Sequence, residues 1–218
     1  EVFSDIIVEA PLGSRTKLTL PDGTLVWLNA GSRITYSQGF GVGNRKIELI
    51  GEGYFEVKRN EEVPFLVKTN SLLVKVLGTK FNFRDYPDDA EAIVSLSEGK
   101  VALNNLLKKE KEAFLLPNER VVLNKKNGRM HVEYSTVSNA LQWTNGYLFF
   151  DEELLPDVVK ELERSYNVKI QIASDTLNTF RFYGNFVHRE QNIQEVLEAL
   201  SATRKIHYII EGHNITLY

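Results

Sequence analysis

The alternation of hydrophobic and polar residues divides the chain into two parts. Between residues 6 and 134, short alternating runs are separated by Gly, Pro, Asn or Asp, a pattern typical of β-strands joined by turns. No stretch in this part has the 3.6-residue period of a helix. The predicted strands are Ile6–Ala10, Arg15–Leu20, Thr24–Leu28, Arg33–Tyr36, Arg45–Gly51, Gly53–Lys58, Phe65–Thr69, Leu72–Val76, Lys80–Asp85, Glu91–Ser97, Gly99–Asn104, Lys111–Leu116, Glu119–Leu123 and Met130–Val132.

From Thr136 onward, helical and strand patterns alternate. Two segments, Leu154–Tyr166 and Asn192–Thr203, each carry an apolar stripe at helical spacing. Strands are predicted at Val168–Ile172, Phe180–Phe186, Ile206–Ile210 and Asn214–Tyr218. The pattern therefore predicts an α/β region that follows an all-β region.

The two helical segments and the strands after them share one spacing. Seven pairs of apolar residues lie 38 positions apart: Leu155/Ile193, Val158/Val196, Val159/Leu197, Leu162/Leu200, Val168/Ile206, Ile170/Tyr208 and Ile172/Ile210. A duplicated unit keeps its core positions, so this spacing predicts two βαβ repeats. With the last strand, they would form a small open sheet with two helices on one face.

The predicted fold class is thus multi-domain, all-β plus α/β. Residues 1–135 are predicted to form an all-β domain, a twisted sandwich or a solenoid-like array. Residues 136–218 are predicted to form a small α/β domain with the internal repeat.

Three sequence blocks in the all-β part carry a family resemblance. The first, LPDGTLVWLNAGSRITY, contains a tight turn at Pro21-Asp22-Gly23. It then contains a strand that is apolar on both faces and is predicted to bury Trp27 in the core. With GEGYFEVKRNEEVPFLVKT and VKVLGTKFNFRDY, it resembles the periplasmic region of FecR-type anti-sigma factors. In the tail, WTNGYLFF, LERSYNVKI and FYGNF resemble the small α/β domain of Bacteroidetes members, which is similar to the secretin/TonB short N-terminal domain.

The resemblance implies a signalling protein and not an enzyme. In such proteins a periplasmic region docks on the signalling domain of a TonB-dependent outer-membrane transducer and relays the signal to a cytoplasmic ECF sigma factor. The resemblance implies that this chain is the periplasmic domain of a single-pass inner-membrane protein. Because the chain begins with Glu1 and not Met, we expect a fragment or processed form that lacks the sigma-binding domain and the membrane helix.

Composition narrows the possible partners. The net charge is −3, with acidic and basic residues interspersed, which argues against nucleic acid as a partner. The absence of cysteine excludes disulfides and thiolate metal sites. No apolar run reaches the length of about 18 residues that a membrane-spanning helix needs.

Residues that could support chemistry are present but lack the required spacing. The glycine-rich segment Gly39–Arg45 precedes a predicted strand, whereas a phosphate loop precedes a helix. The evenly spaced acids Glu48, Glu52 and Glu56 could act as paired carboxylates, but Gly51 predicts a bend that separates them. The four histidines lack metal-site spacing, and the acidic segment 85–91 lacks the EF-hand pattern. We therefore predict no catalytic, metal or cofactor site.

Two strands of the α/β part are candidates for partner binding. On the strand from Phe180, the rings of Phe180, Phe182 and Phe186 form the predicted core face. The predicted partner-binding residues are Arg181, Tyr183 and Asn185 on its opposite face, with Asn214, Thr216 and Tyr218 on the last strand. One of these strands would be the sheet edge that accepts a partner strand, depending on strand order.

Two alternative functions remain open from sequence. One is a carbohydrate-binding all-β module, which would use an aromatic platform containing Trp27 or Tyr54. The other is a secretin-like assembly subunit, suggested by the repeat.

Overall fold

Thirteen strands form the first part of the chain. The structure is a computed structural model that describes residues 4–218, so residues 1–3 of the predicted first domain lie outside the described residues. The strands are β1 (Asp5–Ala10), β2 (Thr16–Thr19), β3 (Leu25–Leu28), β4 (Ser32–Ser37), β5 (Arg45–Glu56), β6 (Phe65–Lys68), β7 (Leu72–Val76), β8 (Lys80–Asp85), β9 (Glu91–Glu98), β10 (Val101–Asn105), β11 (Ala113–Leu115), β12 (Glu119–Asn124) and β13 (Met130–Tyr134). A four-residue helix, α1 (Val137–Ala140), follows them.

All thirteen strands belong to one hydrogen-bonded sheet, in which β5 pairs with four other strands. The main strand order is β11-β10-β7-β6-β5-β8-β9-β12-β13, with β4 and β3 also paired to β5. The first half of β5 pairs with β4 and β6, and its second half pairs with β3 and β8. The two halves of the sheet enclose one core, in which Phe55 on β5 contacts Phe65 on β6.

Gly51 explains why β5 can pair with strands in both halves of the sheet. The sequence predicts two strands here, Arg45–Gly51 and Gly53–Lys58, but the structure has a single twelve-residue strand. Gly51 has a φ of +98°, which only glycine adopts readily. A Cβ atom on Gly51 would lie 2.4 Å from Ser32 Oγ and 2.9 Å from Ser32 Cα. The predicted bend is therefore present, as a kink inside a continuous strand.

The turn before β3 is held by a buried arginine. Asp22 accepts hydrogen bonds from the Thr24 backbone N–H and hydroxyl group, both at 2.9 Å, as the turn motif predicts. Arg45 donates to Asp22 Oδ2 at 3.0 Å and to the carbonyl oxygens of Lys58, Asn60 and Val63. Because its guanidinium is satisfied inside the protein, Arg45 joins the turn to the segment between β5 and β6.

The prediction that β3 is buried on both faces is wrong for one face. Val26 and Leu28 are fully buried, but Trp27 is only partly buried and lies on the outer face. Its ring packs against Tyr54 with a centroid separation of 5.2 Å, and the Lys17 ammonium lies 4.5 Å from its centroid. Trp27 therefore packs against neighbours on the outer face and not within the central core.

The remaining residues form a separate compact unit. The chain divides between Leu141 and Gln142, and the short segment Leu12–Ser14 groups with the second unit. The elements of the second unit are β14 (Tyr147–Leu154), α2 (Leu155–Tyr166), β15 (Lys169–Ile172), β16 (Arg181–Val187), α3 (Ile193–Ser201), β17 (Tyr208–Glu211) and β18 (Asn214–Leu217), with 3₁₀ turns at Gln142–Asn145 and Asp175–Thr179.

Local signals in the sequence set the limits of both helices. In α2, Pro156 occupies the first turn and Asn167 ends the helix in the left-handed conformation, with a φ of 52°. In α3, the side chain of Asn192 accepts from the Glu195 N–H while the Glu195 side chain accepts from the Asn192 N–H. This reciprocal capping box satisfies backbone donors that the first turn leaves unpaired.

The repeat is present in element order, but the predicted single open sheet is wrong. The order is strand–helix–strand twice, followed by β18. The first strands of the two repeats, β14 and β16, pair antiparallel as a two-stranded sheet. The second strands join a three-stranded sheet ordered β15-β18-β17, because β18 inserts between them. Both sheets contribute buried residues to one core with α2 and α3.

Most of the equivalent helix positions are buried in both repeats, although Ile193 is only partly buried where its counterpart Leu155 is fully buried. Val158 and Leu162 are fully buried, as are their counterparts Val196 and Leu200. The similarity fades at the end of the second repeat, where Ile210 is 39% exposed. This residue belongs to β17, which is at the edge of its sheet and so lacks a neighbour on one side.

Candidate docking surface

The strand β16 separates a buried face from an exposed face, as predicted. Phe182 and Phe186 are buried and their rings stack at 6.1 Å with an interplanar angle of 9°. A Cβ atom on Gly184, between them in sequence, would lie only 2.6 Å from the Phe182 ring. The glycine therefore makes room for the two rings on the core face.

The three predicted residues of β16 occupy the opposite face. Arg181 and Asn185 are exposed, and Tyr183 is 67% exposed. The ring of Phe149 on β14 lies 6.2 Å from that of Tyr183 in an edge-to-face arrangement. Tyr147, also on β14, is 36% exposed. The outer face of this two-stranded sheet is thus rich in aromatic side chains, which favour protein interfaces.

The backbone of β16 also presents a free edge. His188 N–H donates to Gly146 O at 2.9 Å, and Leu155 N–H donates to Phe180 O at 2.8 Å. Because hydrogen-bonded pairs alternate along an antiparallel ladder, residues 180, 182, 184 and 186 direct their backbone groups towards β14. Arg181, Tyr183 and Asn185 therefore direct their backbone groups to the unpaired side.

The other edge of this sheet, along β14, carries features that oppose strand addition. The register between β14 and β16 shifts between Phe150 and Glu153, and Glu152 has a φ of 53°. Arg181 Nη1 donates to Glu152 O at 2.7 Å at this irregularity. Three consecutive acids, Asp151 to Glu153, lie there. Bulges and charges are common devices that protect edge strands, so β16 offers the more open edge.

The predicted residues of the last strand do not lie at a sheet edge. β18 is the central strand of its sheet: Thr216 pairs with Gln171 on β15 and with Ile209 on β17. Asn214 and Tyr218 are exposed and Thr216 is partly buried, while Ile215 and Leu217 face the core. The six predicted residues thus lie on two different sheets, because β18 inserts between the second strands of the repeats.

Sequence reasoning missed the exposed edge of β17. Ile209 is 49% exposed and Ile210 is 39% exposed. His207 and Tyr218 exchange backbone hydrogen bonds at 2.9 and 3.0 Å, so the backbone groups of Tyr208 and Ile210 point to the unpaired side. The alternation of Ile206, Tyr208 and Ile210 predicted a strand but contained no information about which strand would become central.

The acids of the all-β unit do not converge on one site. Glu48 is exposed, whereas Glu52 is buried and accepts hydrogen bonds from Asn29 Nδ2 at 2.9 Å and Asn82 Nδ2 at 2.8 Å. Glu56 instead accepts from the Tyr54 hydroxyl at 3.3 Å. Burial, together with the negative charge of Glu56, raises the pKa of Tyr54.

The acidic loop after β8 uses its carboxylates in ion pairs. Asp85 lies 2.6 Å from Lys125 Nζ, and Asp89 lies 2.8 Å from Arg84 Nε. Within residues 4–218, no three His, Asp or Glu side chains are arranged to hold a metal ion. In the same residues, no helix is both long and apolar enough to cross a membrane.

Comparison with known proteins assigns both units of the chain. The model of the family described as FecR protein matches residues 7–102, and the model described as FecR, C-terminal matches residues 147–217. No curated protein matches the sequence. Two crystal structures of a candidate anti-sigma factor from Parabacteroides distasonis ATCC 8503 are 33% identical to it, each with a TM-score of 0.89. The aligned regions cover 98% of both chains in one comparison and 99% of both in the other. The chain therefore belongs to the FecR family of anti-sigma factors.

Proposed function

We propose that this chain is the periplasmic receiver of a single-pass inner-membrane anti-sigma factor. It binds the signalling domain of a TonB-dependent outer-membrane transducer, and the full-length protein relays that binding to a cytoplasmic ECF sigma factor. The family assignment supports the regulatory role. The second unit, with its two strand–helix–strand repeats, is proposed to be a domain of the secretin/TonB short N-terminal type.

The observation that carries the docking proposal is the coincidence of two features on β16. The same residues, Arg181, Tyr183 and Asn185, present exposed side chains and unpaired backbone groups. An incoming strand can bond to the backbone groups while the side chains select its sequence. Tyr and Arg are also the residue types that most often contribute strongly to binding.

Binding must also change the state of the receiver if it is to transmit a signal. A partner can shift an equilibrium between two states only by binding one of them more tightly. The proposal therefore requires that the transducer strand bind the β16 edge more tightly in one state of the receiver than in the other.

The docking surface can be tested with substitutions on β16 that leave its pairing with β14 intact. In Asn185→Pro, the ring removes an N–H that points to the free edge, so the β14–β16 ladder keeps its hydrogen bonds. Tyr183→Ala removes the most exposed ring of this surface. Phe114→Ala is the matched control, since Phe114 is 50% exposed on the other unit. Thr216→Pro is unsuitable because it would break the central strand.

The assay is isothermal titration with the purified signalling domain of a TonB-dependent outer-membrane receptor from the same organism. We expect Tyr183→Ala and Asn185→Pro each to weaken binding by about 2 kcal/mol, or roughly thirtyfold. Phe114→Ala should bind as the unmodified chain does, and circular dichroism should be the same for all three variants. Undiminished binding by both β16 variants would rule out this docking surface.

A further inference from the structure

The strand β13 has an unprotected edge in the all-β unit. Among residues 4–218, β12 is its one strand partner, in an unbroken register from Met130 to Tyr134. Val132 is 44% exposed and Tyr134 is 85% exposed. The segment Met130–Tyr134 contains no proline, no lysine and no bulge, which are common means of preventing strand addition. Its one carboxylate, Glu133, is already paired with Arg120. Such an edge is a template for another strand.

The hydrogen bonds to β12 show which backbone groups are available. Asn124 N–H donates to Arg129 O at 2.9 Å, and Ser135 N–H donates to Asn118 O at 3.0 Å. By alternation, His131 and Glu133 exchange hydrogen bonds with β12. The N–H and C=O groups of Met130, Val132 and Tyr134 therefore point away from the sheet.

We propose that a second copy of this chain docks here, with two β13 strands paired antiparallel about a two-fold axis at Val132. In this register Val132 lies opposite Val132 of the second copy, and Met130 lies opposite Tyr134. All the outward backbone groups of the segment are then paired, and the exposed apolar side chains cover one another. A surface patch that pairs with its own copy is the arrangement of two-fold dimers.

The charges on β13 select this register over its neighbours. With the axis at Val132, His131 lies opposite Glu133 of the second copy, which is a favourable cross-strand pair. An axis at His131 would place two imidazoles opposite each other, and an axis at Glu133 would place two carboxylates opposite each other. Each of these would also leave part of the edge unpaired, so the central register is the one that satisfies backbone and side chains together.

The interactions within one chain are compatible with this pairing. Glu133 already accepts from Arg120 Nε at 2.6 Å and lies 3.4 Å from His131 Nε2 on its own strand. In the dimer, the His131 side chain of each copy can reach the carboxylate across the axis. Because the paired segment is only five residues long, the dimer is expected to be weak in solution.

Sedimentation equilibrium of the 218-residue chain, carried out over a wide concentration range, measures this association. Val132→Pro removes an outward N–H and keeps the β12 ladder, so we expect the association constant to fall about thirtyfold. His131→Glu places like charges opposite each other and should lower it about fivefold. Hydrogen exchange should slow with concentration at the Met130, Val132 and Tyr134 amides, while the His131 amide stays protected throughout.

A mixing experiment separates pairing from local damage to the strand. His131→Glu and Glu133→Lys should each self-associate poorly, yet an equal mixture should associate at least as well as the unmodified chain. In that mixture each strand places an acid opposite a base or an imidazole. A chain that stays monomeric at all concentrations, or a dimer that Val132→Pro leaves intact, would overturn the proposal. A mixture that associates no better than its components would overturn the assigned register.

Discussion

Replacement of Gly51 by alanine tests the central feature of the all-β unit, the kink that allows β5 to pair with strands in both halves of the sheet. Two costs add at this position. A φ of +98° is unfavourable for any residue with a Cβ atom, by about 1 kcal/mol. The new Cβ would also lie 2.4 Å from Ser32 Oγ and 2.9 Å from Ser32 Cα. Because backbone atoms cannot rotate away, this overpacking adds about 1–3 kcal/mol.

The clash also reaches a hydrogen-bond network. Ser32 Oγ accepts from the Glu52 N–H at 2.8 Å and lies 3.2 Å from the Tyr86 hydroxyl. Displacement of Ser32 would leave buried polar groups poorly paired, which is itself destabilising. We therefore expect Gly51→Ala to lower the free energy of unfolding of this unit by about 3 kcal/mol.

The matched control is Gly41→Ala, which isolates the backbone cost. Gly41 has a φ of +89° but nothing lies within 4 Å of the position that a Cβ atom would take. The Gly41→Ala variant should lose only about 1 kcal/mol of unfolding free energy. Both variants are measured by urea unfolding in a Trp143→Phe background, so that Trp27 reports on the all-β unit alone. At a slope of about 2 kcal/mol per molar urea, their midpoints should differ by about 1 M. Equal midpoints for the two variants would refute the steric argument.

Two further predictions concern buried polar groups. Arg45→Met leaves Asp22 and three carbonyl oxygens without their donor, so the free energy of unfolding measured in urea should fall by about 3–5 kcal/mol. The exposed control Arg33→Met should lower it by less than about 1 kcal/mol. An equally small loss for Arg45→Met would contradict the prediction. Tyr54 has a raised pKa in the folded state, so above about pH 10 the unfolded chain loses the proton first and stability should fall as pH rises. Tyr54→Phe should flatten this alkaline slope, whereas the same slope in both proteins would disprove the effect.

Local patterns predicted most elements because their causes are local. Each predicted strand of the all-β part appears in the structure, with one merger at Gly51. The helices begin and end near the predicted residues since capping and proline signals act within one turn. The alternation on β16 likewise separated Phe182 and Phe186 from Tyr183, because side chains in any strand alternate between two faces.

Residue patterns along the chain were sufficient to predict the strand-rich first part, the repeated strand–helix–strand order and the polar face of β16. Which strands are neighbours became known from the folded chain, because pairing joins residues that are distant along the sequence. In the folded chain β18 lies between β15 and β17, so the last strand is the central strand of its sheet and β17 is an edge strand. The fold also leaves β13 as an edge strand, and the sequence of one strand does not state whether another strand will pair with it.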